Sequence, residues 1–192
     1  MEISKKPSQS EAEEAVRTLI KWSGDDPYRD GLRDTPARVV ASYNEFFKGY
    51  NLDPAEVLKK TFEGIEDYNE IIMLKDIRLE SYCEHHILPI IGSATIAYLP
   101  NKKIVGISKL ARVVEILAKR LQIQERLTVE IARVIDKELE PRGVAVIIEA
   151  THQCMTTRGI HKPGTIMKTS HMLGCFKQDK VIRQELFTLI NS

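Results

Sequence analysis

The sequence predicts an α+β domain in which a small antiparallel sheet carries helices on one face, preceded by an N-terminal helical extension. Two observations predict it. Apolar residues recur at helical spacing through the first third of the chain and at a spacing of two from Ile71. The two periods then alternate as two strands, two helices, two strands and a helix. The composition is globular, 43% apolar and 29% charged, and 192 residues suffice for one substantial core.

Ser10 and Glu13 match a capping box ahead of Ala12, Ala15, Val16, Leu19 and Ile20, which share one face of a first helix. Thr35 followed by Pro36 reads as an N-cap with proline at the first helical position, and Val39, Val40, Tyr43, Phe46 and Phe47 form the apolar face of a second. Asp53 and Pro54 begin a short third. Residues 1–65 thus read as a helical appendage and 66–192 as the main domain. From Ile71 to Cys83 the pattern alternates, with Ile77 and Leu79 opposite Asp76, Arg78 and Glu80. Ile90–Leu99 is a second strand close enough to pair antiparallel with it. One helix opens at Ser108 and buries Leu110, Val113, Val114, Leu117 and Leu121. Another carries Leu127, Ile131, Val134, Ile135 and Leu139 until Pro141 and Gly143 stop it. Val144–Cys154 is a β-branched strand, Thr165–Phe176 a weaker one, and Ile182, Leu186, Leu189 and Ile190 mark a closing helix. Four strands cannot close a barrel alone, so neighbouring subunits are expected to cover the sheet edges.

Charge excludes several partner classes. Lys and Arg total 28 against 27 Asp and Glu, so no global field recruits nucleic acid or an anionic membrane, and an anionic partner should be small. No apolar run approaches the ~20 residues that cross a bilayer, and the first ten residues are polar, which makes the cytoplasm the expected compartment. Three widely separated cysteines, Cys83, Cys154 and Cys175, do not form a disulfide framework and are expected as reduced thiols.

Two of those thiols, Cys83 and Cys154, are the candidates for chemistry. Cys83 and His86 stand where the first strand ends, so that a thiol and an imidazole can converge on one ion. Zinc prefers such ligands, and a catalytic zinc typically keeps three protein ligands and an open position for water. Cys154 is the best third ligand: it lies at a strand end close to His152, with which the alternation places it on one strand face. Taken alone, Cys154 reads more readily as a buried core thiol and only the cluster favours a ligand, while Cys175 is read as core. His161 and His171 read as loop or surface residues. Ser108, Lys109 and Arg112 place cations in a first helical turn, where they oppose the dipole unless an anion binds there. A solvated cationic face explains them as well. Gln124 and Glu125 stand before a helix, where an acidic residue is common for the dipole alone, and Arg158 lies in a polar loop that could meet phosphate or merely solvent.

Together the stretches DPYRDGLRDTPARV (26–39), CEHH (83–86), GISKLARVVE (106–115), QIQERLT (122–128) and THQCMTTRGI (151–160) resemble the GTP cyclohydrolase I family. The resemblance implies a tunnelling fold, whose sheets join across subunits into a barrel, commonly in a decamer of two pentamers with intersubunit active sites. It implies Zn2+ held by Cys83, His86 and Cys154, with His85 and His152 as proton-transfer groups. Gln124 and Glu125 would bind the guanine, and Ser108, Lys109, Arg112 and Arg158 the sugar and triphosphate of GTP, Ser108 also assisting the sugar chemistry. The implied reaction opens the guanine imidazole ring, releases formate and forms 7,8-dihydroneopterin triphosphate, the first step towards tetrahydrofolate or tetrahydrobiopterin. A tunnelling-fold enzyme acting on a pterin or deazaguanine, and a structural zinc module, are the competing readings.

Overall fold

The computed structural model describes residues 6–63 and 68–191. In order, the elements are α1 (Gln9–Trp22), α2 (Thr35–Phe46), a 3-10 turn (Lys48–Asn51), α3 (Pro54–Leu58), β1 (Thr61–Glu63), β2 (Ile72–Cys83), β3 (Pro89–Leu99), β4 (Lys103–Val105), α4 (Ile107–Ala118), β5 (Leu121–Gln122), α5 (Gln124–Leu139), β6 (Gly143–His152), α6 (Gln153–Thr156), β7 (Met167–Gly174), α7 (Cys175–Gln178) and α8 (Lys180–Asn191). They form two compact units that divide between Lys48 and Gly49. The division expected between residues 65 and 66 lies outside the described residues.

In the first unit, α1 starts two residues earlier than expected. Ser8, not Ser10, is the N-cap, and it exchanges bonds with Glu11: the Ser8 N–H donates to Glu11 Oε2 at 2.8 Å while Ser8 Oγ accepts from the Glu11 N–H at 3.3 Å. Both serines have a glutamate three residues on. The earlier box wins because each residue added to a nucleated helix adds a hydrogen bond. Thr35 is the first helical residue of α2 rather than its cap, which is Asp34, and Pro36 fills the first turn.

The second unit is built on a five-stranded sheet in the order β5-β2-β3-β6-β7, antiparallel except where the short β5 runs parallel to the end of β2. A separate ribbon pairs β1 with β4. The four long strands stand where alternation predicts them. The three short ones, two or three residues each, are too brief to show a period. One extra residue in β2 disturbs its alternation: the register slips between Leu74 and Ile77, with Asp76 at a φ of 56°, so the core-facing set passes from Ile72 and Leu74 to Ile77, Leu79 and Cys83.

The main core lies between one sheet face and α4 and α5. Leu110, Val113, Leu127 and Ile131 pack over Leu79, Ile96, Tyr98, Val146 and Ile148. Helices are not confined to that face, as the sequence reading had them. Phe176 and Leu186, from α7 and α8, bury Ala97, Leu99 and Ala145 at one end of the opposite side. Apolar residues at that end of β3 and β6 require cover, whereas Ser93, Thr95 and Glu149 further along the same face do not.

The segment after Lys48 is tied to the end of α4. The Gly49 N–H donates to the Lys119 carbonyl at 3.1 Å, and Arg120 Nε donates to the Gly49 carbonyl at 3.0 Å. A side chain at Gly49 would stand 2.0 Å from the Ile116 carbonyl oxygen, so the close approach requires glycine. Asp53 caps α3 through the Ala55 N–H at 2.9 Å, and Leu58 enters the main core with no exposed surface. Leu58→Ala is expected to cost about 2–5 kcal/mol, read as a lower denaturant midpoint with an unchanged slope. An unmoved midpoint would show that α3 is not part of this core.

Candidate metal centre

Cys83 closes β2 on its core-facing side and is buried. A tight turn follows. The Cys83 carbonyl accepts from the N–H groups of His86 at 3.3 Å and Ile87 at 2.8 Å, and the Cys83 N–H donates to the Leu88 carbonyl at 2.9 Å. Ile87 takes a φ of 54°, a sparsely populated conformation for a β-branched residue. This reversal folds two imidazoles back on the thiol: His85 Nδ1 lies 3.7 Å and His86 Nδ1 3.9 Å from Cys83 Sγ.

Cys154 arrives from the other side. Its strand ends at His152, and Cys154 sits on the one-turn helix α6, so the shared strand face of the sequence reading does not exist. The chain coils there because the Thr156 hydroxyl and Thr157 N–H turn back onto the carbonyls of His152 and Gln153. The three ligand atoms of Cys83, His86 and Cys154 nevertheless lie within 4.8 Å of one another. Tetrahedral ligands at zinc distances stand roughly 3.6–3.8 Å apart, and Cys83 Sγ and His86 Nδ1 are close to that spacing. The donor set fits as well, since two thiolates and an imidazole are soft ligands and three of them leave a position open. Burial, followed by the Cys83 sulfur, pushes the Cys154 thiol up, so a cation there must displace a proton that the bare site retains.

His152 lies on the core-facing side of β6, opposite Ile90 of β3, and its Nε2 stands 2.9 Å from Gln124 Oε1. The amide of Gln124 is oriented by its other end. Its Nε2 donates to the carbonyls of Ile148 and Met167, each at 3.0 Å, and to Thr169 Oγ1 at 3.1 Å. The amide oxygen therefore accepts from His152, whose Nε2 carries the proton and whose Nδ1 keeps its lone pair. Burial holds His152 below the usual imidazole value, against a smaller opposing effect of Glu125. Gln124, buried and fully engaged, is thus an internal strut in this chain, while Glu125 beside it on α5 is exposed.

Ser108, Lys109 and Arg112 lie on the first turns of α4, with Ser108 and Arg112 exposed. Arg112 lines a cavity of about 520 Å³ between α4 and the outer edge of β2, with Lys75, Arg78, Glu80, Glu115 and Lys119 on its walls. Neither the metal group nor His152 lines it. Arg158 does reach the metal group: its Nη1 stands 2.8 Å from His86 Nε2. His161 is an exposed loop residue, whereas His171 is half-buried on β7. Cys175 packs with the second cluster, as a core thiol should.

Two residues that sequence reasoning left without a role brace the turn. Arg126 Nη2 bonds the Glu84 carboxylate, and Arg126 Nε donates to Gln122 Oε1 at 3.0 Å. Gln122 in turn donates to the Leu117 carbonyl at 3.1 Å and to Glu130 Oε2 at 2.9 Å. The spacing of Arg126 and Glu130 along one face of α5 was the available signal, with Gln122 just ahead of that helix on β5. Nothing local in the sequence ties them to Glu84.

The sequence matches the family described as GTP cyclohydrolase I over residues 12–191. It is 53% identical to the GTP cyclohydrolase 1 of Maricaulis maris over 98% of this chain and 92% of that one. It is 55% identical to the GTP cyclohydrolase 1 of Hyphomonas neptunium over 96% and 90%, and 52% identical to that of Sinorhizobium fredii over 98% and 92%. Identity of this degree over nearly the whole length of each protein places the chain in the GTP cyclohydrolase I family.

Proposed function

We propose that this chain opens the imidazole ring of GTP by hydrolysis at guanine C8, releases formate and closes the product to 7,8-dihydroneopterin triphosphate. The observation that carries this reading is the convergence of Cys83, His86 and Cys154 beside the tautomer-fixed His152, in a chain of this family. Zn2+ held by those three residues would supply a Lewis acid and lower the pKa of bound water towards about 7.

The protein's own groups do the rest. His152 Nδ1 retains a lone pair and can take a proton and return it to the opened ring's nitrogen, and His85, exposed beside the same sulfur, is the second such group. The Glu125 carboxylate accepts from the guanine ring N–H and exocyclic amine, a pattern adenine cannot offer. Gln124 belongs to this end of the pocket, with its side chain holding His152 while Glu125 reads the base. Lys109, Arg112 and Arg158 meet the triphosphate, and Ser108 the sugar.

The cavity that Arg112 lines does not include the metal group, and this supports a pocket completed by a second copy. Open sheet edges support the same arrangement. Among the described residues, β2 has a strand on its outer side only at Tyr82 and Cys83, and β7 has none. A decamer of two pentamers joined edge to edge into a barrel fits this pattern. No described helix is long and apolar enough to cross a membrane, and the enzyme's expected place is the cytoplasm.

Zinc-loaded protein incubated with GTP is expected to yield formate and, after oxidation, a fluorescent pterin. The absence of both would defeat the proposal. Cys154→Ala is expected to lose bound zinc and formate release together, and full activity in a metal-replete variant would remove Cys154 from the ligand set. Glu125→Ala should keep its zinc but lose discrimination between GTP and ATP, measured as the ratio of kcat/KM. Because burial lowers the folded His152 value and a bound cation would lower it further, its base form persists as pH falls. The acid limb of kcat/KM is therefore expected below about 6.5, the ordinary imidazole value. A limb above that value would exclude His152 as the base.

A further inference from the structure

We propose that Arg126 is a positioning residue for the metal-binding turn, acting through Glu84 and braced by Gln122. The inference rests on the reading of Cys83, His86 and Cys154 as metal ligands. Glu84 to Ile87 are exposed, and the turn passes through the left-handed conformation of Ile87, so its outward side needs an anchor. Glu84 supplies one twice over. Its N–H donates to the Gln122 carbonyl at 3.0 Å, continuing the parallel pairing of Cys83 with Gln122, and its carboxylate takes Nη2 of Arg126.

Arg126 is itself held by a rigid partner. Its Nε donates to Gln122 Oε1 at 3.0 Å, and Gln122 is only 2% exposed, with its amide committed to the Leu117 carbonyl and to Glu130. The guanidinium therefore spans from a buried amide at the sheet edge to the carboxylate between Cys83 and the two histidines. The remaining oxygen of Glu84 lies 4.0 Å from His85 Nε2. Planarity matters here: separate N–H groups of one guanidinium serve Gln122 and Glu84 together, and a lysine cannot reproduce both bonds.

The test is zinc affinity, measured on the full chain by competition with a chromophoric chelator, alongside the melting temperature of the metal-free protein. Arg126→Ala and Glu84→Gln are each expected to weaken zinc binding by roughly 10-fold or more. Arg126→Lys should recover only part of the loss, and the double variant should be no worse than Arg126→Ala, since both changes break one contact. Metal-free melting should barely move, which separates positioning from a general structural role. Zinc affinity within about twofold of wild type in Arg126→Ala, or losses that multiply in the double variant, would overturn the proposal. If Arg126→Ala does not fold, Glu84→Gln alone decides by the same criterion. The assay contains no GTP, so a wild type that holds zinc yet releases no formate defeats the functional reading and leaves the positioning role standing.

Discussion

The register of three strands governs the candidate centre. Ser81 of β2 pairs with Ile90 of β3, and Ile90 with His152 of β6. Because side chains alternate, that register brings Cys83 and His152 to the same end of the face that α4 and α5 cover. A slip of one residue between these strands would send one of them to the opposite face, whatever the rest of the chain did. The bulge at Asp76 lies upstream of this end, on the open edge of β2.

Polar groups at the heart of the site are held by a few buried amides. Gln124 joins β6, β7 and His152 through one side chain, and Thr128 ties Thr169 to α5 at 2.7 Å, so the histidine is set by three elements at once. Gln122 does the same for the turn after β2. No described buried side-chain nitrogen or oxygen lacks a hydrogen-bond partner. A buried amide left unpaired costs about 1–3 kcal/mol, so these networks are stable only while every member is satisfied. That condition gives His152 one tautomer and one orientation.

The long elements were legible from periodicity, and the candidate ligand set from residue type and the CEHH cluster. What periodicity could not show follows from its own limits. Strands of two or three residues contain no repeat, and the Thr-rich stretch after His152 reads as a continuing strand until its hydroxyls and N–H groups turn back on the preceding carbonyls. The capping box of α1 was found in kind but placed two residues late, since two overlapping patterns are indistinguishable until one nucleates. The second apolar cluster was missed because Ala97, Leu99 and Ala145 look like the outward residues of alternating strands.

Local order was enough to specify the longer helices, the long strands, the candidate thiol and imidazole donors, and through the matching stretches the family itself. Residue type and spacing are properties of neighbours along the chain. Tertiary packing alone assigned Gln124 to His152 and Arg126 to Glu84, and drew Cys154 to Cys83 from 71 positions away. Such pairings depend on which strand ends meet. That depends on the register of the whole sheet, a quantity no single segment carries.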